Sequence, residues 1–142
     1  MRSFSKPLTI GIAAALGLIA GSAQAVNHNV TVAPNNNPFS FSPATLSIAA
    51  GDTVTWTYAG GGTPHNVQSD PDAVTQFRCA NGCDGDGGNG TPTGSAWTAT
   101  VAFPTAGTVG YYCVVHGAPG GVNMAGTITV TVPVDLQSFE VD

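Results

Sequence analysis

Positive charge is almost absent from this chain. Three of its 142 residues are Lys or Arg (Arg2, Lys6 and Arg78), against eight Asp and Glu, for a formal charge of −5. So few cations cannot neutralise a run of phosphates, which argues against nucleic acid as a partner. Sustained helical periodicity is missing too, and 19 Gly with 10 Pro would interrupt any helix that began. Cysteine is scarce and odd in number: Cys79 and Cys83 are near neighbours, and Cys113 is left over beside a histidine. Methionine is scarcer still, with Met124 the only one after Met1.

What is present begins with an export pattern. Arg2 and Lys6 precede the uncharged apolar run Leu8–Ala20, and Ala23-Gln24-Ala25 has the small-residue form of a cleavage site. As a helix that run would rise only about 20 Å, short of the roughly 30 Å needed to cross a bilayer's hydrocarbon core. Residues 1–25 are therefore expected to be a cleaved signal peptide. No cysteine follows the cut to take a lipid, so no membrane anchor is expected on the remainder. Residues 26–142 suit one domain with one core, exported to a periplasm or secreted. There Arg78 is the only Lys or Arg, and the acidic surface suits solubility and attraction to a basic partner.

Short segments rich in β-branched and aromatic residues recur between Gly, Pro, Asn and Asp. They are Val30–Val32, Thr45–Ile48, Thr53–Tyr58, a strand opening at His65-Asn66-Val67, Ala96–Phe103, Thr108–Val115 and Thr127–Val132. Alternation along them predicts an all-β fold, an antiparallel β-sandwich with Greek-key connections. Asp70–Ser95 is a long small-residue excursion without strand character, and the tail from Asp135 has few apolar residues.

The chemistry concentrates around Cys113. Cys113-Val-Val-His116 is followed, after Gly117–Asn123, by Met124. A thiolate is soft and suits Cu(I), imidazole accommodates both Cu(I) and Cu(II), and a thioether makes a weak axial donor. Two His and one Cys in a plane, with a weak axis, form the electron-transfer site of blue copper proteins. The second histidine would be His65, which stands where Gly60-Gly61-Gly62 runs into a strand, at one end of the sandwich. His28, near the start of the exported chain, reads as a surface histidine. A lone strand cysteine is usually a small hydrophobe, but the company of His65, His116 and Met124 favours ligation.

Tyr111-Tyr-Cys113-Val-Val-His116-Gly-Ala-Pro-Gly-Gly-Val-Asn-Met124-Ala-Gly126 resembles the copper loop of the plastocyanin-like cupredoxins. So does the stretch from Phe41-Ser-Pro43 through Gly51-Asp52 to Trp56, followed by His65-Asn66-Val67. The resemblance implies a cupredoxin-like domain over residues 26–142 with one type 1 copper ion. His65, Cys113 and His116 become equatorial ligands and Met124 the axial one. Asn66 would join the two ligand segments by hydrogen bonds near the thiolate. Gly117–Asn123 is longer than in the smallest plastocyanins, so the axial place falls to Met124, to a backbone oxygen or to no ligand. The resemblance also implies a soluble monomeric one-electron carrier that meets redox partner proteins near His116, whose neighbours Gly117, Ala118 and Pro119 are uncharged. Asp70, Asp72, Asp84 and Asp86, lying in another segment, could steer a basic partner.

Competing chemistries are weaker. An exported copper-binding or transport protein without a redox role would favour Met-rich or His-rich motifs, which are lacking. A nucleophilic Cys113–His116 pair oriented by Asn66 lacks the local protease signatures, so no enzymatic activity is expected. Cys79 and Cys83 have the spacing of a binuclear copper site, but Gly87 stands where its histidine is required; in an oxidising compartment they form a disulfide instead. Asp84-x-Asp86 with Asn89 is an incomplete calcium loop, with Gly88 in its fifth position and no closing Glu.

Overall fold

A computed structural model of the chain describes residues 24–35 and 37–133. The expected signal segment lies outside them up to residue 23, as does the tail from residue 134. Among the described residues there are ten strands: β1 Asn27–Val32, β2 Phe41–Ser42, β3 Thr45–Ala49, β4 Thr53–Tyr58, β5 Val67–Ser69, β6 Arg78–Ala80, β7 Gly82–Cys83, β8 Trp97–Ala102, β9 Gly107–Ala118 and β10 Val122–Thr131. They form two sheets, ordered β2-β1-β4-β8 and β3-β10-β9-β5-β6-β7.

The alternation read from the sequence decides which side chains enter the sandwich. Val54, Trp56 and Tyr58 of β4 point inward, as do Val30 and Val32 of β1 and Trp97 and Ala99 of β8. From the other sheet come Val109 and Tyr111 of β9 and Ile128 and Val130 of β10. Trp56 is fully buried at the centre, its ring 5.2 Å from Phe77, 5.5 Å from Tyr111 and 6.4 Å from Phe103. An indole of this kind removes enough apolar area to contribute roughly 4–6 kcal/mol of transfer free energy before ordering costs. Burial also pushes the Tyr111 phenol's pKa far up.

The sandwich is the one expected, but two of its pairings are parallel rather than antiparallel. β1 pairs with β4, Asn27 opposite Thr53, and β3 pairs with β10, Thr45 opposite Thr127. Between β1 and β4 the chain crosses into the second sheet as β3, and a return through another layer brings a strand back in the original direction. The β3–β4 corner is a tight turn closed by Asp52 N–H donating to the Ala49 carbonyl at 3.0 Å. Gly51 takes φ +99° there, a conformation that glycine adopts without strain.

The excursion after Asp70 is not without strands. Arg78–Ala80 extends the second sheet beside β5, Val67 opposite Cys79, and turns back through Gly82–Cys83. Cys79 and Cys83 are disulfide-bonded across that hairpin, with Cα atoms 4.0 Å apart. Cys113 is a free, buried thiol.

Candidate metal centre

β4 ends at Tyr58, and the glycine turn carries the chain over the top of the sandwich to His65. There His65 and Thr93 exchange two backbone hydrogen bonds, each 3.1 Å, which fix the histidine at the sheet's end. The imidazole is fully buried, with the Tyr58 ring edge-on at 4.9 Å. Its Nδ1 faces the Cys113 sulfur at 3.8 Å, and its buried Nε2 meets no hydrogen-bond partner among the described residues. Burial, and next the nearby His116, lower the His65 pKa to about 4. The ring is therefore neutral near pH 7, as a metal ligand must be.

The other donors come from a break in the β9–β10 ladder. Ala125 faces Tyr112, yet the next paired residue on β10, Asn123, faces Gly117. Residues 113–116 thus arch out opposite Met124 alone, a bulge that re-aims side chains toward one point. The strand expected over Thr108–Val115 would leave His116 in the following loop. Instead β9 continues through the arch to Ala118, because the ladder resumes with Gly117–Asn123 and Ala118–Val122. Gly117 permits this, since a Cβ there would collide with the Met124 carbonyl.

Within the arch the Cys113 sulfur lies 3.7 Å from His116 Nδ1, and the His65 and His116 rings are 4.6 Å apart. One ligand atom from each of His65, Cys113 and His116 falls within 4.8 Å of the others. Contacts of 3.7 and 3.8 Å are long for hydrogen bonds. They match what one ion would impose: with about 2.3 Å to sulfur, about 2.0 Å to nitrogen and a trigonal angle, S···N is about 3.7 Å. The cluster fits a three-coordinate His₂Cys metal centre.

Met124, the residue of β10 left unpaired opposite the arch, is wholly buried. Asn66, also wholly buried, accepts the Val114 N–H at 3.0 Å and donates to the Gly90 carbonyl at 3.1 Å. It fastens the residue after Cys113 to the residue after His65, and both to the excursion.

Several neighbours of the site escaped sequence reasoning. Phe39 stacks on His116 with ring centroids 4.8 Å apart, from a turn far away in the chain. Asp70, expected in a separate acidic segment, accepts the Gly120 N–H at 3.0 Å and so steadies the tip of the ligand hairpin. Asp84 is likewise engaged, by the Gly90 N–H and the Arg78 guanidinium, each at 2.7 Å. Those two contacts, in that order, hold its carboxyl below the usual range. Of the four aspartates expected to steer a partner, Asp70 and Asp84 therefore have structural duties. No spacing rule reveals these pairs; each joins segments with no common period.

A β-sandwich that carries two imidazoles and a buried cysteine at one end defines a class: proteins that hold a copper ion between two histidines and a cysteine. The family model for copper-binding proteins of the plastocyanin/azurin family matches residues 26–131, and the chain belongs to that family. It is 39% identical to a chloroplastic plastocyanin of Tetradesmus obliquus over 120 residues, 84% of this chain and 77% of that one. To a plastocyanin of Scenedesmus fuscus it is 40% identical, over 63% of this chain and 85% of the other. A halocyanin of Natronomonas pharaonis is 33% identical over 64% of this chain and 50% of its own length. The oxidised plastocyanin of Dryopteris crassirhizoma superposes with a TM-score of 0.50 at 24% identity, over 73% of this chain and all of that one, and shares the fold.

Proposed function

We propose that this protein is a soluble, monomeric one-electron carrier, exported after removal of residues 1–25, with residues 26–142 as its single domain. The observation that carries the proposal is the convergence of His65, Cys113 and His116 on one point inside a rigid sandwich. Bound copper would supply a Cu(II)/Cu(I) couple. The chain's own part is to hold three donors in one arrangement for both oxidation states, so that electron exchange requires little reorganisation. The His65–Thr93 bridge, the Asn66 bonds and the resumed β9–β10 ladder all serve that rigidity. Met124 is proposed as the weak axial donor. The full burial of Cys113 and His65 keeps both donors from direct contact with a substrate, which favours a carrier over an enzyme.

The port for electrons is proposed at His116, the half-exposed member of the set. Phe39, His116 and Asn123 line a shallow depression without a charged group, and the exposed side chains of Phe39 and Val122 add apolar surface. A redox partner can approach such a face without desolvating charge. A copper-storage or transport role is the second reading, supported by the same ligands. The two differ in turnover: a carrier exchanges electrons repeatedly while its copper stays bound.

The copper-loaded protein should undergo repeated one-electron reduction and oxidation without metal loss to a chelator. Ala118→Glu should slow bimolecular exchange with a partner protein about tenfold at low salt, with the visible spectrum intact, because it places a charge beside the port. Copper lost on reduction would favour transport instead, and an unchanged rate would move the port away from His116.

A further inference from the structure

At the end of the sandwich away from the metal centre, a carboxylate is arranged as a receptor. Asp52 is only 6% exposed. Its Oδ1 accepts the Val26 N–H at 2.8 Å, and its Oδ2 accepts the Ala49 N–H and faces His28 Nε2, each at 3.0 Å. The Thr53 N–H donates back to the Val26 carbonyl at 3.0 Å, so Val26 is held on both sides of its Cα. Gln24 and Ala25, just before it, are exposed. The only Lys or Arg among the described residues, Arg78, is committed to Asp84. Asp52 thus has no permanent cation beside it.

We infer that Asp52 is the seat of a new α-ammonium group, created when a peptidase cuts the Ala25–Val26 bond. The inference rests on the proposed removal of residues 1–25. Hydrolysis consumes one water; the Ala25 carbonyl carbon leaves as a carboxylate and the Val26 nitrogen becomes an amine, protonated near neutral pH. The nitrogen that donates to Asp52 as a neutral amide in the uncut chain then donates as a cation, to an acceptor already oriented. Charge-assisted hydrogen bonds of this kind are about twice as strong as neutral ones. The position of the cut matters, because the chain advances about 3.3 Å per residue in extended form and alternates sides. An amine at Ala25 lies one residue beyond the seat. A cut after Val26 removes the donor. Processing at this bond therefore completes the fold by adding the missing cation at the start of β1.

The test compares chains of defined start and equal metal content by urea unfolding at neutral pH. A chain beginning at Val26 should have a folding constant roughly five- to tenfold larger than one beginning at Ala25. Acetylation of the Val26 amine should remove that gain, whereas reductive methylation, which keeps the charge, should retain most of it. Asp52→Asn should make the Val26 and Ala25 chains equal. Equal stabilities with Asp52 intact, or a difference that survives acetylation, would overturn the inference. The mass of the protein recovered after export checks the cut separately. A start at Val26 supports it, and any other start refutes the processing assignment, while the defined chains still decide whether Asp52 seats the amine.

Discussion

The two ends of the sandwich treat polar groups in opposite ways. β1 and β4 run parallel from Asn27 and Thr53 to Val32 and Tyr58, so Asp52 stands at one end and His65 beyond the other. Around Asp52 the donors are in place: two backbone N–H groups and an imidazole meet one carboxylate at 2.8–3.0 Å. Around Cys113 three donors gather without contacts short enough to satisfy one another, and the buried Nε2 of His65 has no partner among the described residues. The carboxylate cluster closes a fold; two imidazole nitrogens and a sulfur held beyond bonding distance of one another, at the spacing one ion would impose, suit a metal.

Asn66 is where the metal end depends on ordinary hydrogen bonding, so removing it should have the largest effect on stability. Asn66→Ala strands the Val114 N–H and the Gly90 carbonyl and should destabilise the fold by about 2–4 kcal/mol. Copper affinity should fall about 10–100-fold, as for other partners that orient metal ligands. Urea unfolding and competition with a chelator measure both; an unchanged affinity would mean that the arch holds its shape without Asn66.

The β6–β7 hairpin lies outside both clusters. Its disulfide closes so short a loop that chain entropy assigns it about 2 kcal/mol. Replacing Cys79 and Cys83 together by Ser should cost no more than that and leave the copper spectrum intact. A lost spectrum would show that the hairpin helps to build the site.

The smallest effect belongs to the Asp52 end and appears as a pH dependence. The Val26 N–H first, then His28, then the Ala49 N–H bring the Asp52 pKa down from 3.8 to about 2. A carboxyl that binds its proton more weakly in the folded than in the unfolded chain stabilises the fold fully above about pH 4. That contribution fades as pH falls toward about 2. Asp52→Asn should therefore flatten the acid limb of the stability curve in that window. An acid limb identical in both proteins would contradict the assignment.

Much of the frame was legible because β-strands carry a period of two. Val54, Trp56 and Tyr58 announce their face, and Val30 with Val32 announce theirs. The metal centre was legible for a different reason: few residue types bind copper, and the chain has so few of them that Cys113, His116 and His65 nearly select themselves. What could not be read were pairings between distant segments. The parallel partners of β1 and β3 depend on how the chain crosses between layers. The bonds of Asp70 to Gly120 and Asp84 to Gly90, and the stacking of Phe39 on His116, depend on where loops come to rest. His28 looked like a surface histidine because its partner, Asp52, is brought to it only by the parallel pairing of β1 with β4.

The central claim is that Cys113, between two imidazoles, is a copper thiolate ligand. Titrating the protein beginning at Val26 with Cu(II) and recording its visible absorption tests this directly. We expect an intense blue or green band that saturates at one copper per chain and is missing in a folded Cys113→Ser variant. A colourless complex of the unaltered protein, or a band that persists in Cys113→Ser, would contradict it.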